Sequence, residues 1–489
     1  MNNLYPFVLV LLLCSCMASK NYNPSKKFSP NELQDDYRVF REVLEESHPS
    51  LYWYTPKDSV DRYFEIGSSK LQDSLTEYKF RNVLSYVVSS IHCGHTSIRP
   101  SKDASRYAER VRSIMFPLSI KAWDDTVVVT SNLSRKDTTL MRGSILKSID
   151  GRPISMILDT FFKHISADGY NTTHKYQTVS NSGVFRNMYG SIYGLKSRTP
   201  VEYYDSAGIL HRASLSLNVP FLDSNRRRPP PVPTRKETKN LGLRAMRNMH
   251  IDSTMETAFL EVNTFTKENQ LRKFFRSSFR TMRKEHIKHL VVDMRGNGGG
   301  NVTLSNLLTK YIADTSFKIA DSLYAVSRKS HYKHYISSYF LNRLFFIFMT
   351  KKKDDGLYHF RYFENKYFKP KKKNHFSGDT YIIIGGNTFS AAALFAKALI
   401  HQKDVVVVGE ETGGGAYGNT AWLIPDVTLP HSKVRFRLPL FRLVIDSSIT
   451  KGHGVIPEVE VKPTVNDIRN NTDYKMDKVM QLIREKRPM

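Results

Sequence analysis

Three short apolar runs constrain this chain more than any other feature. Leu290-Val291-Val292-Asp293 runs into Gly296-Asn297-Gly298-Gly299-Gly300, Tyr381-Ile382-Ile383-Ile384 precedes a helical pattern from Ala391 to Ile400, and Val405-Val406-Val407-Val408 ends at Gly409. Runs this short and this uniformly apolar fit strands covered on both faces, as in a largely parallel sheet. Ala258 to Val262 reads as a further strand, and Leu271, Phe274, Phe275, Phe279 and Met282 recur at helical spacing between strands. This rhythm predicts an α/β core over 251–470, with a segment rich in Tyr, Phe, Lys and His at 316–376 interrupting it as an insertion.

The 489 residues allow two to four domains. Ser29-Pro30-Asn31-Glu32 is a helix start with a capping box, and Leu33, Tyr37, Phe40, Val43 and Leu44 continue it. A helical N-terminal domain is expected over 29–113. From 114 to 222 the pattern turns β-rich. There Gly143 to Gly151, with Ile149-Asp150-Gly151 at its end, resembles the PDZ pattern, and PDZ domains bind chain ends by strand addition. The Arg- and Pro-dense stretch at 223–250 reads as a basic linker, and 471–489 as a C-terminal helix or tail.

Residues 4–13 form an apolar run too short to span a bilayer, which fits a signal peptide over 1–15. Leu13-Cys14-Ser15-Cys16 resembles a bacterial lipobox. The resemblance implies a lipid on Cys16 and a place in the cell envelope; the polar residues that follow read as a tether over 16–28, and Met17-Ala18-Ser19-Lys20, with no acidic stretch, points to the periplasmic side of an outer membrane. No Lys or Arg precedes the run. The net charge of +27 gathers in runs such as Arg226-Arg227-Arg228, Lys351-Lys352-Lys353 and Lys371-Lys372-Lys373, which read as solvated faces or as attraction to anionic headgroups or acidic substrates. Export and the lack of any DNA- or RNA-binding signature exclude nucleic acid as a partner. Three cysteines make no disulfide framework, and nothing specifies an oligomeric state.

The chemistry centres on Asn387-Thr388-Phe389-Ser390-Ala391-Ala392-Ala393, which sets a serine where strand turns into helix. Free backbone N–H groups there suit an oxyanion. The glycine-rich loop at 296–300 lacks the ending of a phosphate-binding loop, but supplies a second wall. Ala391 with Gly298 or Gly299 is the expected donor set. Asp293-x-Arg295-x-Asn297-x-Gly299-Gly300, Phe389-Ser390-Ala391-Ala392, Gly409 to Gly415 and Gly454-Val455-Ile456-Pro457-Glu458 together resemble the tail-specific, or C-terminal processing, serine peptidases. The resemblance implies a crotonase-like peptidase core, a serine endopeptidase activity on exported or unfolded polypeptides, and Ser390 as nucleophile.

One branch of that family uses a lysine 25 residues beyond the serine; here residue 415 is glycine, and Lys397 lies too far along the helix. The tricorn-core-like branch uses a histidine of the N-terminal region, which maps the base to His95 in Ile91-His92-Cys93-Gly94-His95-Thr96. His92 is the fallback, and His48 is expected to be structural. That branch also carries a glutamate before its Gly-Val-x-Pro segment, absent here, which leaves Glu410 and Glu411 as candidates, Glu411 first. Cys93 reads as a buried hydrophobe. No spacing suggests a metal, and no cofactor is expected. The competing reading is a catalytically weak peptide- or ligand-binding protein on the same fold, with an esterase as a third.

Overall fold

Why the three apolar runs are continuous is plain in the computed structural model, which describes residues 22–111, 114–134, 139–217 and 233–486. The signal-peptide and lipobox expectations, including Cys16, lie outside them, as do residues 16–21 of the tether. A six-stranded sheet runs Arg247–Asp252, Thr257–Val262, His289–Asp293, Asp379–Ile384, Val405–Gly409, Val459–Glu460; the first pair is antiparallel and the rest are parallel. Leu290, Val292, Ile382 and Ile384 point into a core shared with the helices Leu271–Lys284, Val302–Ile312 and Ala391–Leu399. Val291, Tyr381 and Ile383 point the other way, onto Val479 and Ile483 of the helix Tyr474–Glu485. Both faces are covered, so alternation disappears from the sequence.

The expected linker over 223–250 needs correction. Thr234 caps a helix Arg235–Met246 with a Glu237 capping box, and Arg247–Asp252 is the outer strand of the main sheet. Nor does the aromatic segment 316–376 stand apart. Its strand Ser322–Ala325 pairs with Phe441–Val444 in a second, five-stranded sheet that includes Gly418–Ala421, and Phe346 on the helix Tyr339–Met349 stacks on Phe441 at 5.1 Å.

The N-terminal helix Pro30–Ser47 starts with the expected Ser29–Glu32 capping box. It packs with Lys57–Ser69 and Glu77–Ser89 around Phe40, Phe64 and Phe80. That cluster also takes in Phe436, whose ring meets Phe40 edge-on at 5.2 Å. Phe436 sits on Arg435–Arg437, which joins Asp426–Thr428 and Ile98–Arg99 in a three-stranded sheet. The helical part is thereby stitched to the half that holds the main sheet.

The β-rich middle is an antiparallel sheet ordered Leu118–Trp123, Thr126–Asn132, Ile145–Ile149, Arg198–Tyr204, Leu210–Ser216. Its first edge is not open for strand addition along its whole length. The helix Thr172–Ser180 lies against it, and Ala122 N–H donates to Ser180 Oγ at 2.9 Å. Among the described residues no helix is long and apolar enough to cross a membrane.

Candidate active site

Ser390 ends the turn between the strand Asp379–Ile384 and the helix Ala391–Leu399, with φ 53° and ψ −122°. Ala392 N–H donates to Phe389 O at 3.0 Å, closing a type II′ turn whose first central residue is the serine. A side chain in that conformation is strained by about 1–3 kcal/mol. The strain lifts the hydroxyl out of the backbone and leaves Ala391 N–H without a hydrogen bond among the described residues.

Opposite it, the glycine loop approaches closely. A Cβ on Gly299, which has φ +95°, would lie 2.7 Å from Ser390 Cβ and 3.0 Å from Ala391 N. The expected donor set is narrowed here. Gly299 N–H is already given to Asn297 Oδ1 at 2.8 Å, and Asn297 is tied in turn to Val262 O at 2.9 Å. Asn297 therefore holds the loop in shape, and Gly298 N–H, on the exposed crest, like Ala391 N–H makes no hydrogen bond among the described residues.

His95 lines the same cavity as Ser390, Ala391, Gly298 and Gly299, a space of about 690 Å³. It is 6% exposed, and among the described residues neither ring nitrogen has a hydrogen-bond partner. The Phe389 ring packs on it at 4.9 Å between centroids and on His174 at 5.1 Å. Burial holds His95 neutral, its pKa pushed down to about 3, with the charges of Arg437 and His174 acting in the same direction. A neutral imidazole with free nitrogens beside a serine can accept a proton.

The sequence reading missed Asp168. Its Oδ1 lies 3.9 Å from His95 Nδ1 and accepts from Gly94 N–H at 2.8 Å, and its Oδ2 accepts from Gly415 N–H at 3.2 Å. Burial pushes its pKa up to about 7 against those two donors. A gap of 3.9 Å is too long for a hydrogen bond, and burial favours the neutral form of both partners, so the ion pair forms only once His95 takes a proton. The segment is held by a mutual clasp: Gly169 N–H donates to His92 O at 3.0 Å, and His92 Nδ1 meets Gly169 O at 2.9 Å. His92 is thus a clamp and makes no approach to the serine.

Glu411 is not brought to the serine. Its Oε1 accepts from Gly454 N–H at 2.6 Å, and it faces a separate cavity with Glu410 and Trp123. Glu410 pairs with buried Lys475 at 2.7 Å. Lys397 pairs with Asp446 at 2.9 Å. His48, also driven to about 3 by burial, bonds Thr96 Oγ1 at 2.8 Å and so fixes the residue after His95. Cys93 is buried, its thiol pushed up chiefly by desolvation, which suits a core residue rather than a nucleophile. Among the described residues no group of three His, Cys, Asp or Glu is placed to hold a metal ion.

Residues 256–461, which carry the serine turn, the glycine loop and most of the main sheet, match the model of peptidase family S41. That segment resembles the core of the S41 peptidases. It is therefore of serine-peptidase type. Mature CPAF is similar to this chain at TM-score 0.63 and 14% identity, covering 94% of this chain and 99% of that one. CPAF complexed with lactacystin gives 0.63 and 14%, covering 93% and 99%. A putative peptidase from Parabacteroides merdae gives 0.44 and 14%, covering 93% and 97%. The two CPAF structures share the fold over nearly the whole length, beyond the S41 segment itself. No curated protein matches the sequence.

Proposed function

We propose that this chain is a membrane-anchored serine endopeptidase that cuts exported or unfolded polypeptides through an acyl-enzyme on Ser390. The observation that carries the reading is the cavity shared by a strained serine, two free N–H groups and a buried histidine with both nitrogens unpaired. His95 Nε2 takes the hydroxyl proton as Ser390 Oγ attacks the peptide carbonyl carbon. The oxyanion settles between Ala391 N–H and Gly298 N–H. His95 then returns the proton to the leaving amine, and repeats the cycle with water to release the acid and free the serine.

Asp168 acts in this scheme as the positioning carboxylate. Facing Nδ1, it steadies the imidazolium that forms on proton transfer. The cavity wall of Phe345, Phe360 and Phe363 comes from the aromatic segment, which covers the cleft. Anchorage rests on the lipobox-like sequence at Cys16 alone. The catalytically weak binding protein has one observation in its favour: His95 makes no hydrogen bond to the serine.

Incubation with an unfolded protein, read as fragment masses, separates the two. Wild type is expected to cut, with Ser390→Ala and His95→Ala inactive. A well-folded wild type that leaves the substrate intact would favour the binding protein.

A further inference from the structure

The cavity beside Ser390 is walled chiefly by apolar side chains, among them Phe345, Phe360, Phe363 and Trp422. Thr264, Thr266, Asn301 and Thr303 line it beside the glycine loop, and away from that loop and the serine the wall also carries Arg437 and Asn419.

Arg437 belongs to the three-stranded sheet. Its strand register sets Asp426 opposite Arg437 and Arg99 opposite Arg435. Residues two apart on a strand share a face, so three guanidiniums and one carboxylate lie on one side of this sheet. That carboxylate is already shared: Asp426 pairs with Arg435 at 2.9 Å and with Arg99 at 3.4 Å. Arg437 makes no hydrogen bond or ion pair through its side chain among the described residues, although it is largely withdrawn from solvent. Asn419 adds an independent sign. It is 2% exposed, and among the described residues neither Oδ1 nor Nδ2 has a partner.

A half-buried guanidinium with neighbouring cations and no acceptor is costly unless an anion completes it. Its planar fork matches a carboxylate through two parallel N–H bonds. We propose that Arg437, backed by Arg99 and Arg435, forms a carboxylate-binding subsite of the catalytic cavity, and that the polypeptide presented to Ser390 carries a carboxylate close to the scissile bond. This rests on the peptidase reading of Ser390. The buried Asn419 amide, one donor group and one acceptor, suits a neighbouring peptide unit.

The subsite also bears on catalysis. The Arg437 charge is one cause of the low proton affinity of His95. A carboxylate docked on Arg437 cancels part of that field, so the correct substrate makes the imidazolium easier to form. Two sources supply the same chemistry: the free carboxyl end of a chain, or an Asp or Glu side chain near the cut.

The test measures binding of fluorescent peptides to the full-length Ser390→Ala protein, so turnover plays no part. Peptides of one sequence are compared with a free or amidated end, and with an internal Glu or its Gln replacement. Removal of the docking carboxylate should weaken binding about tenfold or more. The difference should shrink in raised salt, vanish in Arg437→Gln and survive in part in Arg437→Lys. Sensitivity to amidation assigns the chain end, and sensitivity to Glu-to-Gln exchange assigns an acidic side chain. Equal binding of all peptides, no binding of any, or undiminished discrimination in a folded Arg437→Gln protein overturns the subsite. Fluorophosphonate labelling of wild type, run in parallel, keeps the readings apart. Labelling without carboxylate discrimination defeats the subsite alone, whereas discrimination without labelling defeats the peptidase reading alone.

Discussion

Gly299 shows how much a single residue decides. Its positive φ, and the 2.7 Å at which a Cβ added there would meet Ser390 Cβ, mean that any side chain there must push the loop away from the nucleophile. Gly299→Ala is expected to lower kcat/KM by about 100-fold, in line with the loss of one oxyanion donor. Its Tm should fall by only a few degrees, since the loop crest is outside the main core. Steady-state kinetics beside a thermal melt checks both.

Asp168 makes a pH prediction. The carboxyl is half-ionised near pH 7 and charged above it. If it steadies the His95 imidazolium, kcat/KM rises with pH through about 7 in wild type. Asp168→Asn should lose that limb and fall to a low plateau. The sign for stability is the reverse. A folded pKa of about 7 against an ordinary 3.8 means that the native state keeps a proton the unfolded chain releases. The contribution of Asp168 is therefore whole below 3.8 and is lost as pH rises toward 7. His95 and His48 work oppositely: their stability is whole above 6.5 and drains as pH falls toward 3. Urea melts of wild type and Asp168→Asn across this range isolate the aspartate, because the histidines are common to both.

Elements matter where they join. Phe436 lies wholly buried on a three-residue strand between the two arginines, yet packs into the N-terminal helical cluster. Phe436→Ala is expected to cost about 3–5 kcal/mol. It should also reduce activity in the surviving folded fraction, because the same sheet sits beside His95. Denaturant titration with activity normalised to folded protein measures both.

At this scale it is clear what the sequence could tell. The strands at 290–293, 381–384 and 405–408 were legible because burial on both faces leaves no alternation to misread. The helix cap at Ser29 was legible because its chemistry is local. The edge strand Arg247–Asp252 was not: it is half-exposed and follows a basic, proline-rich stretch, so composition pointed to a linker. Ser390 stood out because a serine at a strand-to-helix turn followed by alanines is a local pattern. Asp168 had no such pattern. It follows Ala167 and precedes Gly169 in the β-rich middle, and only tertiary packing brings it to Gly94 and Gly415. Glu411 looked better in sequence because it adjoins an active-site loop, but its carboxylate is spent on Gly454.

Viewed whole, the molecule assembles its candidate site from three parts: His95 from the helical start, Asp168 from the β-rich middle, and Ser390 from the segment similar to S41 peptidases. Phe389, packed between His95 and His174, joins all three. The lipobox-like cysteine adds a claim about where this assembly resides. In a bacterial host, metabolic labelling with a palmitate analogue should mark the full-length protein, and Cys16→Ser should abolish the mark. Unchanged labelling would place any lipid elsewhere.

The most direct test of the account is the site and rate of modification by a fluorophosphonate. The account predicts one adduct on the wild-type chain, mapped by peptide mass to Ser390, with the rate cut by about 100-fold or more in His95→Ala. An adduct at another residue, or labelling of Ser390 at an unchanged rate without His95, would contradict it.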